Sequence, residues 1–276
     1  MKERKLVVGL RLLIAAAACL VVIFPVYWML VTSITPEVDT FSASPHIIPS
    51  AFELAGYRNL VSAGNIFLWI RNSMIVALST AAMVVVVATL SGYTLSRFRF
   101  AGQKPVLLLL LLTQMLPEAL LLLPVYMLYK EAGMLNNMFG LMLINAAFQV
   151  PIGTWIMKNF FDTVPKELDE AANIDGCNKL TTLTRILIPT VMPSMAATAI
   201  IVFFEAWNEY LFAVTMVTNN SKWVTSVGLS SFIGMYTVPV TQIMAGAILF
   251  TIPSLLIYVF FQKYIVSGLT QGSVKG

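Results

Sequence analysis

Six long stretches without Asp, Glu, Lys or Arg constrain this chain more than any other feature. They run over 12–31, 72–96, 105–129 (interrupted only by Glu118), 132–157, 186–204 and 241–262. A bilayer core is crossed by about 20 mostly apolar residues in a helix. Inside it every backbone N–H and C=O must be satisfied within the protein, which leaves helices or closed barrels. Runs this long and continuous predict helices. The expected fold class is therefore all-α: a polytopic membrane protein with six transmembrane helices, the fifth continuing past Glu205 and Glu209 to about residue 217. Composition agrees, with 58% apolar and 11% charged residues among 276, against about 25% charged in a soluble domain. That excludes an ordinary soluble enzyme, a disordered regulator and a nucleic-acid binder.

Orientation follows from the connections, because Lys and Arg accumulate on the cytoplasmic side. One set of loops and tails holds Lys2, Arg4, Lys5, Arg11, Arg97, Arg99, Lys104, Lys158, Lys166, Lys179, Arg185, Lys263 and Lys275. The other holds Arg58, Arg71, Lys130 and Lys222. Thirteen of the seventeen basic residues thus share one side, and both termini are expected in the cytoplasm. The net charge of +4 reflects topology, not a patch for an acidic partner. The first span is too long for a secretory signal and lacks a clean cleavage site, so it reads as an uncleaved helix. Cys19 in that helix and Cys177 in a cytoplasmic loop cannot meet, so both are expected to be free thiols. His46 falls in the outward loop 32–70 and reads as a surface residue.

The chain lacks the loops that carry common chemistry. It has no G-x-x-x-x-G-K-[ST] phosphate cradle, no G-x-G-x-x-G, no G-x-S-x-G and no H-E-x-x-H. One His outside the spans offers little acid–base chemistry, and 2 Cys with 1 His cannot build a zinc cage. These absences point away from an enzyme and toward passage.

The connection 158–189 is the most informative stretch, with four basic and five acidic residues between Lys158 and Arg185. Pro165 suits the first turn of a helix. Glu167, Asp169 and Glu170 suit its positive end, and Ala171 and Ala172 favour helix. Asp175-Gly176 gives a stop. A helix of two to three turns is too short to be stable alone, its alanines permit close approach, and its acids offer charge pairs to a partner. On the residues alone, a docked helix and a plain solvated loop helix stand level.

The run Glu170-Ala171-Ala172, three residues, Gly176, nine residues, Ile186-x-x-Pro189 resembles the EAA loop of ATP-binding-cassette importer permeases, with Ile188 where Leu is usual. The resemblance extends over about residues 70–276. It takes in Arg71–Ser73, Gly92–Phe100, Thr113–Pro117, Leu123–Tyr126 and the tail from Gln262. Ala206-Trp207-Asn208-Glu209-Tyr210 resembles the W-N-E-F/Y signature of the sugar-importing, maltose-type branch. That resemblance implies an importer-permease fold divided into 1–70 (first helix and extracytoplasmic loop) and 71–276 (a five-helix core with the EAA loop). It implies a permease subunit in a prokaryotic inner membrane that hydrolyses nothing itself. Its partners would be a second homologous permease, two ATP-binding subunits and an extracytoplasmic solute-binding protein, with a sugar or oligosaccharide as cargo. No cofactor would reside in this chain; ATP and Mg would belong to the ATPases. Glu170, Ala171, Ala172, Asp175, Gly176 and Pro189 would couple to the ATPase. The rivals are a permease of the same class for another solute, and an ion-coupled carrier, which would want more intramembrane acids and inverted repeats.

Charges within spans are costly, about 2.5–3.5 kcal/mol at the centre of a helix, and mark pathways or pairs. Glu118 reads as a wall of the translocation path, as a pair with the second permease, or as a neutral buried carboxyl. Glu205 and Glu209 lie one turn apart with Asn208 beside them. Trp207, Asn208 and Glu209 have the residue types of a sugar contact or outer gate, but packing between two permeases is the simpler reading. Prolines 117, 124, 151, 193 and 253 are candidate kinks.

Overall fold

The computed structural model describes residues 2–42, 47–234 and 238–271, and the side chains of 7–42, 47–234 and 238–264. His46, Lys275 and the side chains of Lys2, Arg4 and Lys5 lie outside the described residues. Every regular element among those described is helical. The chain forms two compact units, one of residues 1–67 with 228–253 and the other of 68–227 with 254–276.

In the first unit, α1 (Lys2–Ser33) is exposed from Val7 to Tyr27, an apolar surface that a bilayer covers. Short helices α2 (Glu37–Thr40) and α3 (Ala55–Ser62) follow. Ser33 Oγ and Tyr57 Oη share a hydrogen bond of 2.9 Å. A side chain at Gly56 would stand 2.7 Å from the Thr241 carbonyl oxygen, so α3 meets the chain there backbone to backbone.

The second unit begins within α4 (Ile66–Arg97), a 32-residue helix about 48 Å long at 1.5 Å per residue. The third apolar stretch is broken where the sequence reading has it continuous. Helices α5 (Gln103–Thr113) and α6 (Glu118–Glu131) meet at 99°. The cause is local. Proline disfavours α conformation in the residue before it and cannot donate to the preceding turn, and Pro117 itself is extended, φ −61°, ψ 129°. Pro124, Pro151, Pro193 and Pro253 instead lie inside helices.

Helix α7 (Met138–Thr163) starts six residues later than the apolar run. Gly133 (φ 66°) and Asn136 (φ 54°) turn the chain, and the Asn137 side chain accepts from the Phe139 N–H at 2.9 Å. Small residues bring α4 and α7 together, as in membrane packing generally. A Cβ at Gly92 would stand 2.8 Å from the Lys158 nitrogen, and one at Gly153 2.9 Å from Val84. Ser91 and Thr154 hydrogen-bond across the seam at 2.7 Å.

After α8 (Glu167–Ile174), one helical run covers Lys179–Asn208: α9 (Lys179–Thr182), a π turn (Leu183–Leu187) and α10 (Ile188–Asn208). The π turn sits before Pro189, whose ring would crowd the Arg185 carbonyl in a regular helix. Widening the turn lets the Ile188 N–H reach the Leu183 carbonyl instead. The run does not continue to residue 217. It stops at Asn208, Glu209 is extended (ψ 133°), and α11 (Leu211–Met216) starts afresh. Helices α12 (Thr225–Ser230) and α13 (Val240–Gln271) complete the chain.

The loop 218–225 is tied at one end of the second unit. Asn136 Oδ1 accepts from the N–H groups of Thr218 (2.7 Å) and Asn219 (3.0 Å), and Lys222 Nζ donates to the Asn136 carbonyl at 2.7 Å. Asn72 Nδ2 donates to the Ser221 and Trp223 carbonyls, both at 3.0 Å. Arg97, Lys158 and Lys166 gather at the opposite end of α4 around α8, with Arg97 paired to Asp169. Within this unit Lys222 thus lies beside the start of α4 and Arg97 at its far end.

Candidate functional site

Two features stand out in the second unit: α8 at the basic end, and a polar cavity where the two spans break.

Helix α8 is built as its sequence dictates. Lys166 precedes it and Pro165 stands one residue earlier, outside the first turn. Glu167, Asp169 and Glu170 fill the first turn, where the free N–H groups favour negative charge. At the other end the Cys177 N–H donates to the Ala172 carbonyl (2.9 Å) and the Gly176 N–H to Asn173 (3.1 Å). This is the double closure that needs a left-handed residue, and Gly176 supplies it at φ 79°.

The helix has an inner and an outer edge. Ala172 is 1% exposed, packed into this chain's own body, so the alanine pair is split and only Ala171 faces out. Asp169 is also spoken for: Arg97 Nε lies 2.9 Å from its Oδ2. The same guanidinium donates from Nη2 to the Val164 carbonyl at 2.8 Å, so one side chain from the end of α4 holds both the approach to α8 and its first turn. Ser96 Oγ donates to Asp162 at 2.6 Å, and the Tyr93 ring meets Phe161 edge-on at 5.7 Å. The outer edge carries Glu167, Glu170, Ala171, Asp175 and Gly176, all exposed, with Ile174 87% exposed and Leu180 66%. Pro189 is exposed beyond the π turn. A fixed inner edge beneath apolar and acidic outer side chains is a surface fit for another protein.

The cavity, of about 320 Å³, is lined by Glu118, Asn145, Phe148, Gln149, Glu205, Asn208, Glu209 and Tyr210, with neighbours from α10 and α11. The breaks create it. The bend at Pro117 puts Glu118 at the first position of α6, and the stop at Asn208 places Glu209 between α10 and α11. Both Glu209 carboxylate oxygens are engaged, accepting from the N–H groups of Phe212 (2.6 Å) and Ala213 (3.1 Å). Glu209 thus starts α11 by satisfying donors that have no partner within the helix. Ser226 Oγ donates to its carbonyl at 2.7 Å, and Asn208 Nδ2 donates back to Phe204 at 2.8 Å.

Of the four residues that the sequence suggests for a path, the structure brings Glu118, Asn208 and Glu209 to one cavity. Trp207 is not among its lining residues: it is 2% exposed and stacked on Phe203 at 5.5 Å. Glu205 joins them, one turn before Glu209. Asn145 and Gln149 come from α7, one turn apart, and no motif in the sequence marks them.

Membrane-length helices beside a polar cavity, with a short helix whose outer edge is exposed at the basic end, are the build of a transport permease. The description "binding-protein-dependent transport system inner membrane component" matches residues 84–271. The chain is 33% identical to the trehalose/maltose transport system permease protein MalG of Thermococcus litoralis, over 100% of both chains. It is 30% identical to the sulfoquinovosyl glycerol transport system permease protein SmoH of Agrobacterium fabrum, over 97% of this chain and 95% of that one. Its fold is similar to that of a bacterial ABC transporter involved in the import of the acidic polysaccharide alginate, with a TM-score of 0.81, 19% identity, and 96% and 98% of the chains covered. The chain belongs to the family of binding-protein-dependent transport system inner membrane components, and it is a multi-pass inner-membrane protein.

Proposed function

We propose that this chain is the permease subunit of an ATP-driven, binding-protein-dependent sugar importer, forming half of a translocation path and receiving its drive through α8. The observation that carries the reading is the two-edged build of α8. Its inner edge is held to α4 by Arg97, and its outer edge offers Glu170, Ala171, Ile174 and Gly176 to another subunit. A push on the outer edge passes through Arg97 into the long helix that borders the small-residue seam with α7. The relatives named for trehalose, maltose and sulfoquinovosyl glycerol support a carbohydrate cargo.

In this reading a second homologous permease completes the path, two ATP-binding subunits that hold ATP and Mg engage the EAA helices, and an extracytoplasmic solute-binding protein delivers the sugar. The chain carries no reaction of its own. Both termini and α8 face the cytoplasm, and the loops 32–70 and 219–240 face the binding protein. Glu118, Asn208 and Glu209 border the path, while Trp207 supports the helix that carries them. An ion-coupled carrier would have no use for a capped helix with an apolar outer face.

The test is co-purification from native membranes in mild detergent, with mass spectrometry of the partners. A second permease and an ATPase should be recovered, and the ATPase should be lost when Ile174 is replaced by Asp. Recovery of the chain alone, with uptake persisting after ATP depletion, would overturn the reading.

A further inference from the structure

The cavity at the two broken spans carries more information than that it is polar. Its lining holds Glu118, Glu205 and Glu209 and no Lys, Arg or His. Glu118 and Glu205 line it and are exposed, and neither carboxylate makes a hydrogen bond or ion pair within the described chain. The three carboxylates do not converge as a cation site, since no group of three His, Cys, Asp or Glu among the described residues is placed to hold a metal ion. A second observation points to a ligand. Asn145 is 5% exposed, it lines the same cavity, and its Nδ2 has no hydrogen-bond partner. Buried amide donors are almost always paired, so this one is suited to a group that enters the cavity.

The chemistry that completes such a site is specific. Carboxylates only accept and the Asn145 amide nitrogen only donates. A sugar hydroxyl does both, giving its proton to Glu118 or Glu205 while its oxygen accepts from Asn145. The Phe148 ring and the exposed Tyr210 add apolar faces for a pyranose. The volume of about 320 Å³ lies at the small end of ligand pockets, roughly 300–1,000 Å³. An anionic sugar could use the amide but would meet the carboxylates in a setting where charges interact more strongly than in water.

We propose that this cavity is an electrostatic filter that accepts uncharged or cationic saccharides and turns back those bearing carboxylate, sulfonate or phosphate. The assignment rests on the importer reading and narrows its cargo. It sets this chain apart from the named proteins whose cargo is sulfonated or acidic.

The test measures the potential in the cavity and then the cargo. The complete transporter, with Cys19→Ser and Cys177→Ser as background, receives a single cysteine by Gln149→Cys or, as a solvent-facing reference, Ala63→Cys. Modification rates are compared for a cationic and an anionic methanethiosulfonate reagent. The ratio of cationic to anionic rate at 149 should exceed that at 63 by on the order of tenfold or more, as a charged cleft concentrates the opposite charge. Glu118→Gln with Glu205→Gln should bring it back toward the reference. Reconstituted with its binding protein, the wild-type transporter should take up neutral but not uronate- or sulfonate-bearing oligosaccharides. Equal ratios at the two sites, a ratio insensitive to the glutamines, or uptake of acidic sugars at the neutral rate would each overturn the filter. The importer reading fails on a different readout, the absence of ATP-driven uptake of any solute by assembled complexes.

Discussion

Replacing Arg97 by Met should loosen α8 without disturbing the spans. The guanidinium bridges Asp169 at 2.9 Å and the Val164 carbonyl at 2.8 Å, and the two charged side chains are only 6% and 14% exposed. Removing one partner of a fully buried pair costs about 3–5 kcal/mol, because the other charge is left unpaired. Asp169 keeps some contact with water and α8 can move outward, so we take the lower end, about 3 kcal/mol, for release of the helix. At 1.4 kcal/mol per factor of ten, that raises the undocked population on the order of a hundredfold. Hydrogen exchange on the assembled transporter reads this directly: the amides of residues 168–177 should exchange faster by about that factor, while those of α4 and α7 stay protected. Transport per ATP hydrolysed should fall with them. Arg97→Met combined with Asp169→Leu should recover part of the protection, since a neutral pair leaves no buried charge. Unchanged exchange in the single variant, or a double variant no better than the single, would refute the account of Arg97 as the tie between α4 and α8.

Two further outcomes follow from the packing and capping. Gly153→Ala should destabilise the permease by about 1–3 kcal/mol through overpacking, because the new methyl would stand 2.9 Å from Val84 and 3.2 Å from Ala88. A fall in the melting temperature in detergent would register it, and an unchanged midpoint would mean that α4 and α7 are less tightly opposed. Glu209→Ala should remove both acceptors at the start of α11 and cost about 0.5–2 kcal/mol, the range for a lost cap. The Phe212 and Ala213 amides should lose protection while α10 is unaffected; retained protection would show that the carboxylate does not start that helix.

The sequence determined what local chemistry can determine. Hydropathy located five of the spans and both halves of the broken one, because a bilayer imposes length and composition on whatever crosses it. The stop at Gly176 was legible because closing a helix this way requires φ > 0, which glycine adopts without strain. Pro117 carried the signal for the first break, since the residue before a proline resists helix. The second break had no such mark: Asn208, Glu209 and Tyr210 include no Gly or Pro, and only the Glu209 carboxylate, folded onto the N–H groups of Phe212 and Ala213, shows that a new helix starts there. Tertiary structure alone decided the site. It turned Ala172 and Asp169 inward to meet the body and Arg97, buried Trp207 against Phe203, and placed Asn145, which no pattern singles out, beside three glutamates from two other segments. Local rules reach one or two turns along the chain. Which face of a membrane helix meets a neighbour and which meets a cavity depends on groups far away in sequence, here residues 118, 145 and 205–209, and only folding brings them within reach of each other.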